Sequence, residues 1–264
     1  MKMKAFFLIA LSAGAALLAQ QQPQQPKPQP QPTGAVLQEP AYVRRFSAGV
    51  TLSVLGLNSM RKNDVNVITQ SPAVDGLYTT QDVSRRVGFG LTLQGIVSER
   101  VGVNGGVFLR PNIGYKMHSD IYEGTDNPNT TKDERKYIVR NEETRFRYYD
   151  FPVTLRYYGR DRHDPGPRWF VEAGGVLRRV TRVRTSIDET IDDGDKACCT
   201  TTPATPARRN IRGVVAGFGV QVIDPVGIRV IPQVRYTRWG GDAFSTFSTV
   251  TQRNQIEGMI SLSF

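Results

Sequence analysis

The sequence predicts an all-β fold, an eight-stranded antiparallel up-and-down transmembrane β-barrel. Two observations predict it: apolar and polar residues alternate with a period of two in eight segments, and the connections between these segments are alternately long and short. A barrel with short turns at one rim and long loops at the other produces this series. A soluble β-sandwich, the alternative fold, gives no reason for the connections to alternate in length.

The beginning of the 264-residue chain predicts export. Lysines followed by an apolar run at residues 5–18 are typical of a signal peptide, here expected over 1–19. Residues 20–42 are rich in Pro and Gln, and we expect them to form an extended periplasmic spacer or a docking peptide for a periplasmic partner. The barrel is expected over 43–264. The mean hydropathy of −0.35 excludes helical spans beyond the signal peptide but allows alternating strands.

Each of the eight segments carries an apolar row, expected to face lipid, and a polar row, expected to face the lumen. In chain order the apolar rows start at Phe46, Val87, Val101, Tyr149, Trp169, Val214, Ile228 and Ile256. The third row is expected to continue outward through Ile113 and Tyr115, and Met259 is the one apolar residue on the polar row of the last segment. Long polar loops are expected at 59–84, 118–143, 185–209 and 240–251.

Residues 149–158, Tyr-Asp-Phe-Pro-Val-Thr-Leu-Arg-Tyr-Tyr, carry a resemblance to a known family. They resemble the signature of the outer membrane protein beta-barrel domain family, which includes OmpA-like and PorT-like eight-stranded barrels. Residues 235–239 and 254–264 fit the same resemblance, and the final Phe264 is similar to the aromatic residue that the barrel insertion machinery reads. The resemblance implies a barrel in the bacterial outer membrane with periplasmic termini and extracellular long loops, and it implies no particular activity.

Charged residues on the polar rows form a candidate lumen network. They are Arg110, Asp150, Arg156, Glu172, Arg178, Arg229, Arg235, Arg253 and Glu257. Eight strands enclose a bore that side chains can fill, and an unpaired buried ion costs several kcal/mol. We therefore expect the three acids to neutralise arginines in a packed polar core. The alternative is a switchable plug that opens a narrow pore.

A second set of arginines falls at the long-loop ends of the strands. It comprises Arg85, Arg145, Arg147, Arg182, Arg184, Arg209, Arg212 and Arg238. Guanidinium groups suit bidentate contact with phosphate, so this rim could clamp lipopolysaccharide; the alternative is a generic solvated edge. The formal net charge of +10 does not indicate nucleic acid as partner, since an exported chain meets lipopolysaccharide and outer-membrane lipid instead.

Three further features are weaker indications of a chemical function. Adjacent Cys198 and Cys199 could form a strained vicinal disulfide or remain thiols without function. Acidic residues between 188 and 195 match no calcium-loop spacing, so a solvated loop is expected. His118 and Ser119 are neighbours on one strand and face opposite sides, which does not make a Ser-His pair.

The sequence thus predicts a monomeric, non-enzymatic membrane scaffold for surface interaction or envelope integrity, with no cofactor and no metal. A small channel for solutes is the alternative function. A lipid A-modifying enzyme is a further alternative, which the arrangement around His118 disfavours.

Overall fold

A computed structural model describes residues 45–70, 73–126, 129, 133–164, 166–192, 195–197, 204–224, 227–246 and 248–264. These residues belong to one compact unit, Glu39–Phe264. The predicted signal peptide, the Pro/Gln-rich spacer and both cysteines lie outside the described residues. Within the described part, no helix is long and apolar enough to cross a membrane.

The described residues form eleven strands. The first six are β1 (Phe46–Leu55), β2 (Asn63–Gln70), β3 (Ala73–Asp82), β4 (Val87–Ile96), β5 (Val101–Glu123) and β6 (Lys136–Tyr158). The other five are β7 (Arg168–Ile191), β8 (Asp195–Ala197), β9 (Asn210–Ile223), β10 (Arg229–Trp239) and β11 (Asn254–Ser263).

Eight of these strands close into an antiparallel ring. Its order is β1, β4, β5, β6, β7, β9, β10 and β11, and β11 pairs back to β1 with Gly49 opposite Ser263. Every pairing within the ring is antiparallel. The predicted eight-stranded up-and-down barrel is confirmed, and β6 lies diametrically opposite β11.

The barrel wall is apolar outside and polar inside. Along β10 every second residue is buried, and the buried set includes Arg229, Gln233 and Arg235 while Val230 and Val234 are exposed. On β1 the exposed row runs from Phe46 to Val54, which spans ~26 Å at about 3.3 Å per residue. A soluble fold would bury this row. The exposed apolar belt is that of a transmembrane barrel.

One bulge in β5 and another in β7 change the direction of side chains above the belt. In β5 the pairing with β6 shifts between Arg110 and Ile113, where Asn112 has a φ of 57°. One extra residue reverses which face the following side chains occupy. Ile113 and Tyr115 are therefore buried inside the barrel, so the prediction that they face lipid is wrong.

The long connections contain more strand than the sequence predicted. Residues 59–84, expected to be an irregular loop, include the hairpin of β2 and β3, and β3 pairs with the upper part of β5. Likewise β5 and β6 pair up to Glu123 and Lys136, and β7 extends to Ile191, so the loops expected at 118–143 and 185–209 are shorter. These parts stand above the apolar belt, where a strand needs no apolar row. We call β2, β3 and the parts of β5, β6 and β7 above the bulges the extended sheet.

Candidate functional site

A chain of ion pairs crosses the lumen around Asp150. Arg178, its direct cross-strand neighbour on β7, donates from Nε to Oδ1 at 2.7 Å and from Nη2 to Oδ2 at 2.8 Å. Arg110 of β5 donates from Nε to Asp150 Oδ2 at 2.9 Å and from Nη2 to Glu257 Oε2 at 2.5 Å. All four side chains are buried. Since Glu257 lies on β11, opposite β6, the chain spans the bore.

A second ionic cluster lies closer to the short turns and is centred on Glu172 of β7. Arg156, its cross-strand neighbour on β6, donates from Nε to Oε2 at 2.8 Å. Arg235 of β10 donates from Nε to Oε1 at 3.0 Å. Gly217 makes room for this carboxylate, because a Cβ there would lie 3.1 Å from Oε1. Each acid in the two clusters therefore pairs with at least one arginine.

Aromatic rings cover the faces of two of the buried guanidinium groups. Arg178 Cζ lies 4.0 Å from the ring centroid of Tyr148 and 3.8 Å from that of Trp239. Arg156 Cζ lies 4.4 Å from the Phe170 ring. Such contacts favour a cation that has lost its water. They help to explain how arginines can be packed at this density in a narrow bore.

Little space remains between these side chains. A cavity lined by Arg110, Asp150 and Glu257 has a volume of about 10 Å³. That is close to the minimum that holds one water molecule. At this level the lumen has the geometry of a packed polar core.

Two residues of the predicted network occupy other settings. Arg229 is buried near the short turns, where it donates from Nη1 to Ser47 Oγ at 3.1 Å. Arg253 does not face the lumen, so that prediction is wrong. It precedes β11, is half exposed, and pairs with Asp242 at 2.5 Å. The period-two count placed it inward, but the strand begins one residue later at Asn254.

The Arg253 guanidinium, hydrogen-bonded to Asp242, holds the pKa of that carboxyl below its ordinary value. A lowered pKa means that the pair stabilises the folded loop at neutral pH and that this contribution is lost as the pH falls below about 4. We expect the side-chain carbon resonance of Asp242 to titrate below the ordinary Asp range. In Arg253→Gln the titration should move up, and an unchanged midpoint would contradict the assigned cause.

The connection between β10 and β11 folds over the long-loop end of the lumen. We call residues 240–251 the cap, of which all but 247 are described. Phe244 is buried, with its ring 4.5 Å from Phe146 and 5.9 Å from Tyr115. The cap is tied to its surroundings by a bridge between Thr251 and Met60. An exposed polar loop was expected here, yet the cap buries an aromatic cluster inside the mouth.

The short-turn end of the lumen is also filled. Tyr158, Phe170 and Ile231 form a second buried cluster there. Arg168 is buried beside it, with Cζ 4.2 Å from the Tyr158 ring centroid, and donates from Nη2 to Glu99 O at 3.2 Å. Arg168 and the aromatic residues beneath the cap were not among the predicted site residues. The signal available for Arg168 was its position as the first residue of the inward row of β7.

Seven of the eight predicted rim arginines form an arc on the outer wall. They lie on or beside the consecutive ring strands β6, β7, β9 and β10, and Arg145 is directly opposite Arg184. Arg145 pairs with Glu143, whereas no carboxylate of the described residues lies within 4 Å of the other six. Arg85 does not belong to the arc, because it precedes β4, on the opposite side of the ring from β9.

The remaining predicted residues, Phe264, His118 and Ser119, make ordinary hydrogen bonds. Phe264 is exposed at the short-turn end, and its backbone N–H donates to Ala48 O at 2.9 Å. His118 is exposed and lies 2.9 Å from Asn141 Oδ1, while Ser119 is buried and its hydroxyl donates to Arg140 O at 3.3 Å. Within the described residues, no group of three or more His, Cys, Asp or Glu could hold a metal ion.

Comparison with known proteins gives structural likeness but no match by sequence. No family model matches the chain, so its resemblance to the outer membrane protein beta-barrel domain family stays a prediction. No curated protein matches either. Among solved structures, Ail, the attachment invasion locus protein of Yersinia pestis, matches with a TM-score of 0.31 and 8% identity, over 84% of this chain and 100% of Ail. A likeness at this level carries no argument, and the fold rests on the strand pairing of this chain.

Proposed function

We propose that this protein is a bacterial outer-membrane barrel that conducts no solute and catalyses no reaction. Its barrel would anchor the extended sheet outside the membrane for surface interaction or for envelope integrity. The observation that carries the proposal is the blocked lumen. Ion pairs span it from Arg178 to Glu257, and the cap closes its long-loop end.

The location is supported by the surface of the barrel and by the sequence. An exposed apolar belt on a closed barrel with a predicted signal peptide suits the outer membrane of a bacterium. Residue 45 and Phe264 both lie at the short-turn end. By this proposal that end faces the periplasm, and the extended sheet faces the exterior.

The extended sheet supports a role in presentation. From Tyr115 to Glu123, β5 pairs on one side with β3 and on the other with β6, which makes a continuous wall above the belt. Backbone pairing at both edges holds a strand far more firmly than a free loop. A rigid surface of this kind loses less conformational entropy when it binds a partner.

The arginine arc supports a contact with lipopolysaccharide. Six of its guanidinium groups have no carboxylate of the described residues within 4 Å, although one of them, Arg238, donates from Nη1 to Asn254 Oδ1. Guanidinium groups without a carboxylate partner suit phosphate. The arc is confined to one side of the barrel. The proposed contact is therefore one-sided, and Arg85 takes no part in it.

The surroundings of His118 support the absence of enzymatic activity. Its Nδ1 faces Asn141, its Nε2 lies 3.3 Å from Asp120, and the Ser119 hydroxyl is turned to the opposite face. A nucleophile and a base within hydrogen-bond distance are thus not formed by this run.

Recordings in planar bilayers test the proposal. Purified protein, shown to be folded by a heat-dependent shift in gel mobility, should give no conductance steps. The matched control is a variant that removes each layer that fills the bore. In it both ionic clusters (Arg110, Asp150, Arg178, Glu257, Arg156, Glu172 and Arg235) are changed to Ser, Tyr158, Arg168 and Phe170 are changed to Ala, and the cap is replaced by a short Gly-Ser link. Once the same gel-mobility shift shows that it is folded, this variant should give small steps. Steps from the unmodified protein would overturn the sealed-barrel proposal and favour the channel.

A further inference from the structure

A pocket of about 390 Å³ opens on the wall where β9 separates from β7. The pairing of these strands ends with Arg179 opposite Asn210, and the last backbone bond runs from Val180 N–H to Arg209 O at 2.8 Å. Beyond this point residues 204–206 pass beside β7 and form the other side of the pocket. The volume falls in the range of small-ligand sites.

Among the described residues, three arginines and no acid line this pocket. They are Arg179, Arg182 and Arg209, all exposed, and no carboxylate of the described residues lies within 4 Å of their guanidinium groups. Like charges that share a concave site repel one another unless an anion lies between them. The composition of the lining therefore fits an anionic ligand.

The Thr181 side chain gives an independent indication. Thr181 lines the same pocket, and its hydroxyl oxygen is buried with no hydrogen-bond partner in the described part of the chain. A buried hydroxyl without a partner is unfavourable unless a ligand supplies one. A ligand oxygen in the pocket would accept its hydrogen bond.

The bulge in β7 places these groups together. Arg145 is paired with Arg184 but Arg147 is paired with Thr181, so β7 has one extra residue, and Arg182 has a φ of 50°. A non-glycine residue in the left-handed region is strained, and such strain is concentrated at functional sites. Without the bulge, Thr181 and Arg182 would point to opposite faces of the wall.

We propose that this pocket binds a phosphate monoester or diphosphate group through Arg179, Arg182, Arg209 and the Thr181 hydroxyl. This proposal rests on the proposed lipopolysaccharide contact and assigns the phosphate group to this pocket. Arg179 is the next outward position after Leu177 of the apolar belt, at the height of lipid headgroups. The phosphate belongs either to a membrane lipid or to a free phosphorylated molecule.

The test compares two triple variants with the same change in net charge. Arg179→Gln, Arg182→Gln and Arg209→Gln together remove the pocket cations, while Arg85→Gln, Arg184→Gln and Arg238→Gln remove cations outside it. Binding of inorganic pyrophosphate to detergent-solubilised protein is measured by calorimetry, and binding of lipid A by co-purification from nanodiscs with and without its phosphates. Heat-dependent gel mobility shows that each variant is folded.

The pocket variant should lose affinity for the phosphate probe by at least about tenfold, since it removes charge-assisted hydrogen bonds, which are about twice as strong as neutral ones. The outer variant should change by less than about twofold. Thr181→Val, which keeps the shape, should lose a few-fold. Binding of pyrophosphate indicates a free phosphate ligand, and binding of phosphorylated lipid A alone indicates a lipid.

Equal losses in the two triple variants would overturn the pocket and leave the wider arginine arc as the contact. If neither variant changes lipid A binding and neither binds pyrophosphate differently from the unmodified protein, the pocket and the proposed lipopolysaccharide contact both fail. Neither result bears on conductance, so the sealed-barrel proposal is judged separately.

Discussion

Asp150→Ala should lower the free energy of unfolding by about 3–5 kcal/mol, because it leaves two buried arginines without their shared carboxylate. Arg178 is enclosed by Tyr148 and Trp239. Arg110 is buried between Asp150 and Glu257, so neither guanidinium group can reach water without a change in packing. Urea unfolding in lipid vesicles, followed by tryptophan fluorescence, measures the change.

Asp161→Ala is the matched control for this experiment. Asp161 also pairs with an arginine, Arg100, but both side chains are about half exposed at a short turn. Water can replace the lost partner there, so a much smaller change is expected. If the two variants lose similar stability, the lumen network does not hold the barrel together. The double variant Asp150→Ala with Arg178→Ala should lose less than the sum of its single variants, since they share one interaction.

Val50→Arg should destabilise the folded barrel by about 2–4 kcal/mol when it is embedded in a bilayer. Val50 is at the middle of the exposed row of β1 and is 49% exposed, so its side chain faces outward. An arginine at that depth must enter hydrocarbon or distort the bilayer. Equilibrium unfolding in vesicles gives the difference from the unmodified protein.

Phe46→Arg, at the end of the same row, is the control for depth. Its expected effect is about 0–1 kcal/mol, because the guanidinium would reach the interface. Equal effects at the two positions would contradict the assignment of the belt to the membrane. A soluble sandwich would tolerate Val50→Arg on its exposed face with almost no change.

Where the strands predicted from the sequence differ from those in the structure, the difference has a physical cause. Alternation was readable within the belt because lipid outside and polar packing inside demand opposite residue types at successive positions. Above the belt, most residues of β2 and β3 are half-buried or exposed, and apolar and polar residues do not alternate over the whole length of either strand. Tyr115 was placed on the wrong face because a one-residue bulge at Asn112 cannot be seen in the alternation that precedes it.

The candidate sites, too, were predictable from the sequence only in part. The inward direction of Asp150 and Glu172 followed from their place in the polar rows, and the need for paired charges followed from the cost of burial. Their partners did not follow, because the register between strands fixes which arginine reaches which acid. The pocket around Thr181 was not expected at all, since it requires the bulge, the end of β9 pairing and residues 204–206 together.

The sequence by itself determined the class of fold, the strands of the belt and the inward or outward direction of most of their side chains. These depend on local period-two chemistry and on the medium that each face meets. Only the tertiary structure decided that ion pairs block the bore, that the cap closes its mouth and that the extended sheet rises above the belt. Those features depend on strand register, on bulges and on contacts between residues far apart in the chain, such as Arg110 with Glu257.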